Sequence, residues 1–154
     1  MTNNLVYRVL AMILGILCPM VMIISFPEIK SLSSFWNTPL VPLFIIMNIV
    51  TAYFFYLLPN WKVSGVLLFL LTAFPVNYFG QFHNILAVVF FISCMYAIAQ
   101  SSRYSWLVFP FIVAVIISAK SLFWGEVASI YIICTYHLLT LRKRVKITKQ
   151  RKNS

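Results

Sequence analysis

The chain has 154 residues, of which 62% are hydrophobic and only 9% are charged. Soluble domains carry about 25% charged residues, and so short a chain has too little interior to cover this much apolar surface. The composition excludes an ordinary soluble domain and predicts an all-α integral membrane protein. The net charge is +10, but seven of the twelve Lys and Arg residues lie in the last thirteen positions. The charge belongs to a C-terminal segment, so we expect the lipid bilayer and not nucleic acid as the partner.

Six apolar runs predict a bundle of six transmembrane helices, because a helix needs about 20 mostly apolar residues to cross a bilayer. The runs, in chain order, are Leu5–Ile24, Pro39–Leu58, Val63–Phe74, His83–Ala99, Tyr104–Ala119 and Phe123–Leu141. The connections between them are short except for the one after the first helix. We interpret residues 1–141 as one six-helix domain and residues 142–154 as a basic cytoplasmic tail.

The distribution of positive charges predicts the orientation of these helices. If the N-terminus is cytoplasmic, the inner segments carry ten of the twelve Lys and Arg residues, and the outer loops carry only Lys30 and Lys120. This asymmetry is typical of a protein with both termini in the cytoplasm. We expect a multi-pass protein of a cell membrane, a bacterial inner or plasma membrane.

The basic tail follows directly after the last predicted helix. Polybasic segments in this position attract anionic lipid headgroups, at about 1 kcal/mol per basic residue. Alternatively, the charges only stop transfer of the chain through the membrane. The residues predicted to bind anionic lipid are Arg142, Lys143, Arg144 and Lys146.

A polar cluster is predicted on the outer side. The orientation places both carboxylates of the chain there, Glu28 and Glu126, together with His83. A carboxylate at a membrane boundary usually has a partner or a task. We expect His83 and Glu126 to open the fourth and sixth helices and to pair with each other, with Asn77, Asn84 and Glu28 completing a ligand-binding site. The alternative is that these side chains only cap helix ends.

No catalytic residue, metal site or cofactor is predicted. His83 and His137 fall on opposite sides of the bilayer, so they cannot share a metal ion. A serine hydrolase could only combine His83 and Glu126 with one nearby serine, and no nucleophile motif marks any of them. The candidates are Ser25, Ser31, Ser33 and Ser34. His137 is expected to be an interfacial side chain at the inner surface.

Two stretches carry a family resemblance. The segments "LTAFPVNYFGQFHNILAVVFFISCMYAIAQ" and "FWGEVASIYIICTYHLL" resemble the six-helix DRAM-like membrane proteins and their prokaryotic relatives of unknown function. Where those proteins have a Ser-Asp-x-Gly element in the first outer loop, this chain has Glu28 as the only acid. The resemblance implies a six-helix bundle and, in eukaryotic members, roles near lipid or membrane trafficking, but no established reaction. The matching positions are His83, Asn84, Ala87, Gly125 and Glu126.

The leading expectation is a non-catalytic, multi-pass membrane protein whose outer polar site binds lipid or another membrane protein. A second possibility is an accessory subunit of a larger membrane complex, including an immunity-type protein. A third is a lipid-modifying enzyme or a small-solute transporter, although few polar residues lie near the middle of the predicted helices.

Overall fold

The computed structural model describes the backbone of residues 3–28 and 30–152; side chains are described for residues 6, 9, 10 and 12–141 except 18, 22 and 29. The fold is all-helical, with 85% helix and no strand in these residues. The α-helices, in chain order, are α1 (Asn3–Ser25), α2 (Val41–Tyr56), α3 (Lys62–Ala73), α4 (Val76–Ala99), α5 (Val108–Ser118) and α6 (Leu122–Lys152). Short 3-10 helices cover Leu32–Asn37, Pro59–Trp61 and Ser105–Leu107.

The α-helices coincide with the apolar runs, but three boundaries differ from the prediction by four residues or more. One is the start of α5, which lies at Val108 and not at Tyr104. α4 begins at Val76, so the stretch "NYFGQFHN" is helical and the prediction that the helix starts at His83 is wrong. Pro75 precedes the first residue of α4, where the absence of a backbone N–H costs no helical hydrogen bond. α6 does not end at Leu141; its backbone continues as a helix to Lys152.

Gly80 divides α4 into two parts. Its φ of 29° and ψ of −103° are not helical, and they kink the helix between its first turn and the rest. A positive φ is accessible to glycine because it has no Cβ atom. The long apolar part of α4 therefore begins after Gly80, with His83 in its first turn.

The six helices pack as a ring that is closed less tightly at one seam. α1 contacts α2 and α6, α2 contacts α3, α3 contacts α4, and α5 contacts α6. The contacts of α4 with α5 and α6 are far sparser than those within the α5–α6 pair. The seam between α4 and the α5–α6 pair is therefore where the bundle can hold a cavity.

The α5–α6 pair is held close by a glycine. A methyl group on Gly125 would overlap the backbone of Ser118, at 2.6 Å from Cα and 2.7 Å from the nitrogen. Small residues let helix backbones approach in this way, and packing of this kind is common between membrane helices. Ser118 lies four residues after Ala114, another small residue of α5, which is buried.

The side chains are distributed with large apolar groups outside and several polar groups inside. Many apolar side chains are more than half exposed, for example Phe69 and Phe109 at 55% and 74%. Several polar side chains, in contrast, are buried. They are Asn48, Ser64, Thr72, His83, Glu126, Ser129 and His137. One of them, Ser64 of α3, is joined to the partly buried Ser93 of α4 by a hydrogen bond of 2.8 Å between the two hydroxyls.

Two helices of the described chain are long and apolar enough to cross a membrane. They are Val76–Ala99 and the part of α6 from Leu122 to Leu141. Shorter apolar helices occur at Val41–Tyr56 and Ser105–Ser118. By length and composition the two longer helices are compatible with a membrane location.

Candidate functional site

The site is organised around the 3-10 helix Leu32–Asn37, called here the connecting helix. Phe35 fixes it to the bundle, because this side chain is fully buried and stacks on Phe44 of α2 with ring centroids 5.2 Å apart. Leu32 is buried in the same apolar cluster, together with Phe123 and Val127 at the start of α6. The connecting helix is thus held across one end of the bundle, against α2 and α6.

Three of the predicted site residues bind this one segment. Oε2 of Glu126 accepts a hydrogen bond of 2.6 Å from the backbone N–H of Leu32. Nε2 of His83 lies 2.9 Å from Oγ of Ser33. The side-chain amide of Asn77 donates a hydrogen bond of 2.8 Å to the side-chain oxygen of Asn37. The predicted polar residues of α4 and α6 are therefore brought together through the connecting helix.

The hydrogen bonds of His83 define which ring nitrogen carries the proton. Nδ1 lies 2.7 Å from the backbone carbonyl oxygen of Phe74. A carbonyl oxygen can only accept, so Nδ1 must be the protonated nitrogen of this contact. In the neutral imidazole Nε2 then has a free lone pair, and the hydroxyl of Ser33 donates to it. The ring is fully buried, so these two bonds determine its orientation.

The prediction that His83 and Glu126 hydrogen-bond directly to each other is wrong. Their hydrogen bonds go to adjacent residues, Ser33 and Leu32, and neither bond joins the two side chains. The expectation that Glu126 lies in the first turn of the sixth helix is also wrong, because α6 begins at Leu122. Glu126 binds a backbone N–H of another segment and does not cap its own helix.

A cavity of about 520 Å³ lies in the seam between α4, α5 and α6, beside the connecting helix. Its polar lining is concentrated near that helix and comprises Ser31, Ser33, Asn84 and Glu126, with Ser118 and Ser129 nearby on α5 and α6. Farther along α4 and α5 the wall is apolar, with Val88, Phe91, Met95, Phe111, Ile112 and Val115. From Asn84 to Met95 the lining follows α4 for about 16 Å, at 1.5 Å per residue. The cavity therefore runs from a polar end to an apolar end.

The other predicted site residues have different positions. Asn84 is exposed and lines the cavity. Glu28 is exposed and does not contribute to the cavity wall. The side chains of the predicted lipid-binding residues of the tail lie outside the described residues. Among the residues that are described, no three His, Cys, Asp or Glu side chains are grouped so that they could hold a metal ion.

Ser33 is the site residue that the sequence did not single out. It was one of four serines that could meet His83, and nothing in its local sequence separates it from Ser31 and Ser34. The local sequence offers one indication, which is Phe35 two positions later. A large apolar side chain in this loop predicts that the loop packs against the bundle. Only the packing of the connecting helix selects Ser33.

His137 lies in a second, separate environment. It is 3% exposed, and its ring is surrounded by the aromatic rings of Phe54, Phe55, Trp61 and Tyr136. The closest of these is Trp61, with ring centroids 4.5 Å apart. His137 therefore lies within an aromatic cluster, and its position at the inner membrane surface stays a prediction.

Comparison with known proteins gives no relative: no family model, no curated protein and no solved structure matches the chain. The resemblance to the DRAM-like proteins thus depends on the two quoted stretches alone and stays a prediction.

Proposed function

We propose that the protein is a six-span membrane protein, with both termini in the cytoplasm, that binds a single lipid molecule in the seam between α4, α5 and α6. The polar headgroup region of the lipid lies beside the connecting helix, on the outer side of a cell membrane. The acyl chain lies along α4 and α5. The observation that carries this proposal is the cavity that changes from polar to apolar along its length.

The location in a membrane is supported by the inverted distribution of side chains. In water, exposing so many large apolar groups would be costly, at about 25 cal/mol per Å² of apolar surface. In a bilayer the same surface faces acyl chains, and buried polar groups such as Asn48 and Ser64 find partners between helices. The shorter crossings, α2, α3 and α5, then require a thin or locally adapted bilayer.

The lipid assignment is supported by the volume and the lining of the cavity. Ligand pockets commonly measure about 300–1,000 Å³ and combine apolar walls with a few polar groups. Here the polar groups sit at one end only, which suits an amphipathic molecule better than a compact polar solute. A seam with sparse helix contacts also gives a lipid lateral access from the bilayer.

A matched pair of tryptophan variants tests lipid binding. Val88 lines the cavity, whereas its neighbour Val89 on the same helix does not, and both are partly exposed. The protein is purified in mild detergent, and native mass spectrometry measures the fraction that retains a lipid. We expect Val88→Trp to lower that fraction at least tenfold and Val89→Trp to leave it unchanged. Equal retention by both variants, or no retained lipid in the unaltered chain, would contradict the proposal.

Cysteine labelling tests the orientation of the crossings. The three natural cysteines are replaced by serine, and single cysteines are introduced as Ala119→Cys and Asn60→Cys, both at exposed positions. With intact cells and a maleimide that does not cross membranes, we expect labelling at position 119 only. Labelling at position 60 before permeabilisation would overturn the proposed orientation.

A further inference from the structure

We infer that Ser33 and His83 form a nucleophile and base pair that cleaves an acyl ester of the bound lipid. This inference rests on the proposed lipid site and goes beyond it, and it departs from the expectation of a non-catalytic protein. It concerns a reaction class, acyl transfer from an ester to Ser33 and then to water, with a fatty acyl ester as the substrate.

The geometry of the pair is that of an activated nucleophile. Oγ of Ser33 and Nε2 of His83 are 2.9 Å apart, which is within hydrogen-bond reach. The carbonyl oxygen of Phe74 fixes the proton on Nδ1, so the basic lone pair of Nε2 faces the serine hydroxyl. A nucleophile, a base and a third group that orients the base are the arrangement that activates serine in unrelated hydrolases. The carbonyl of Phe74 is the positioning group in this arrangement.

The position of Ser33 in the cavity matches the position of an ester in a lipid. Ser33 is half-buried and lines the polar end, next to the point where the apolar wall begins. In an acylated lipid the ester carbonyl lies at the same boundary, between the polar head and the acyl chain.

The reaction follows from these positions. Oγ of Ser33 attacks the ester carbonyl carbon while Nε2 of His83 takes the hydroxyl proton. The bond from the carbonyl carbon to the alcohol oxygen breaks, and the alcohol leaves with the proton from Nε2. Water then attacks the acyl-serine ester and gives a proton to Nε2. That proton passes to Oγ as the fatty acid leaves, which restores Ser33 and neutral His83.

An alkyl fluorophosphonate with a fluorescent reporter tests the nucleophile in the full-length protein. Ser33 would form an oxygen–phosphorus bond, fluoride would leave, and His83 would take the hydroxyl proton. We expect labelling of the unaltered chain, with the label on Ser33 in peptide mass spectra. Ser33→Ala should remove the label. Ser34→Ala is the matched control, since the hydroxyl of Ser34 bonds to Ser31 and not to a histidine, and it should keep the label.

The base is tested by His83→Gln. Glutamine can still form hydrogen bonds at this position but cannot accept the proton, so labelling should slow about 10²-fold or more. If the His83→Gln variant retains lipid and labels Ser33 at the rate of the unaltered chain, His83 is not the base. Hydrolysis of a long-chain acyl ester of 4-methylumbelliferone provides the second readout and should fall in parallel.

The outcomes separate this inference from the proposed function. If the unaltered chain retains lipid but Ser33 is not labelled, or if Ser33→Ala keeps the label, the nucleophile inference is wrong and lipid binding stands. If no lipid is retained and no labelling occurs, both fail. Lipid retention by Ser33→Ala confirms that this variant still folds.

Discussion

Glu126 and His83 form hydrogen bonds to adjacent residues of one segment, Leu32 and Ser33. The carboxylate of Glu126 accepts a hydrogen bond from the backbone N–H of Leu32, and the ring of His83 accepts one from the hydroxyl of Ser33. Two buried polar side chains from α6 and α4 therefore hold the connecting helix across the end of the bundle. Because this segment forms part of the cavity wall, the stability of the fold and the shape of the site depend on the same two contacts.

Removing the carboxylate of Glu126 should destabilise the protein. Glu126→Leu leaves the buried N–H of Leu32 without an acceptor, which costs about 1–3 kcal/mol. Glu126→Gln keeps an acceptor oxygen and should cost less. Thermal unfolding can be followed by reaction of the buried thiols of Cys94 and Cys134. Glu28→Gln, at an exposed position, is the control. If it loses as much stability as Glu126→Leu, the prediction is wrong.

The hydroxyl pair between α3 and α4 should contribute measurably to their packing. Oγ of Ser93 donates to the carbonyl oxygen of Phe90 at 2.7 Å, so Ser64 is the donor to Ser93. We expect Ser64→Ala to reduce stability by about 0.6–2 kcal/mol, the range for hydrogen bonds between membrane helices. The same unfolding measurement applies, with exposed Ser102→Ala as the control. If Ser64→Ala lowers the free energy of unfolding no more than the control does, the hydrogen bond contributes nothing to stability.

The close approach of α5 and α6 should tolerate no added methyl group. Gly125→Ala places a Cβ atom against the backbone of Ser118, and overpacking of this kind costs about 1–3 kcal/mol. Gly15→Ala should cost less, because its new methyl group meets side-chain atoms and not backbone: Sγ of Cys134 at 3.0 Å and Cγ2 of Ile130 at 3.8 Å. Melting temperatures of the two variants should differ in this order. The reverse order would contradict the packing described here.

The aromatic cluster around His137 should depend on Trp61. This side chain is 2% exposed and contacts the rings of Phe55, Tyr136 and His137. Trp61→Ala should destabilise the protein by about 3–5 kcal/mol, as in other large-to-small core substitutions. Trp124 is 53% exposed, so Trp124→Ala is expected to cost much less. The two variants can be compared by circular dichroism during heating.

The basic end of α6 should bind anionic lipid. Glutamine in place of Arg142, Lys143, Arg144 and Lys146 removes four charges, each worth about 1 kcal/mol near an anionic surface. The protein in nanodiscs should then capture fewer anionic vesicles by co-sedimentation, and more salt should weaken capture of the unaltered chain. If vesicle capture depends on neither the four charges nor the salt, the basic residues do not bind anionic lipid and serve only as a stop-transfer signal.

The sequence alone determined the helical class and the positions of the six helices, because long apolar runs between short polar connections allow little else. It also predicted which polar residues matter, since so few exist. It missed that residues 76–82 form a helix, because the kink at Gly80 depends on one backbone conformation that composition does not encode.

Only the tertiary structure decided the partners within the site. Glu126 and His83 are far apart in sequence from Leu32 and Ser33, and each bond exists because Phe35 anchors the connecting helix in the apolar cluster with Phe44. Local sequence carries no information about such contacts between distant segments. The choice of Ser33 among four neighbouring serines, and the cavity beside it, follow from packing alone.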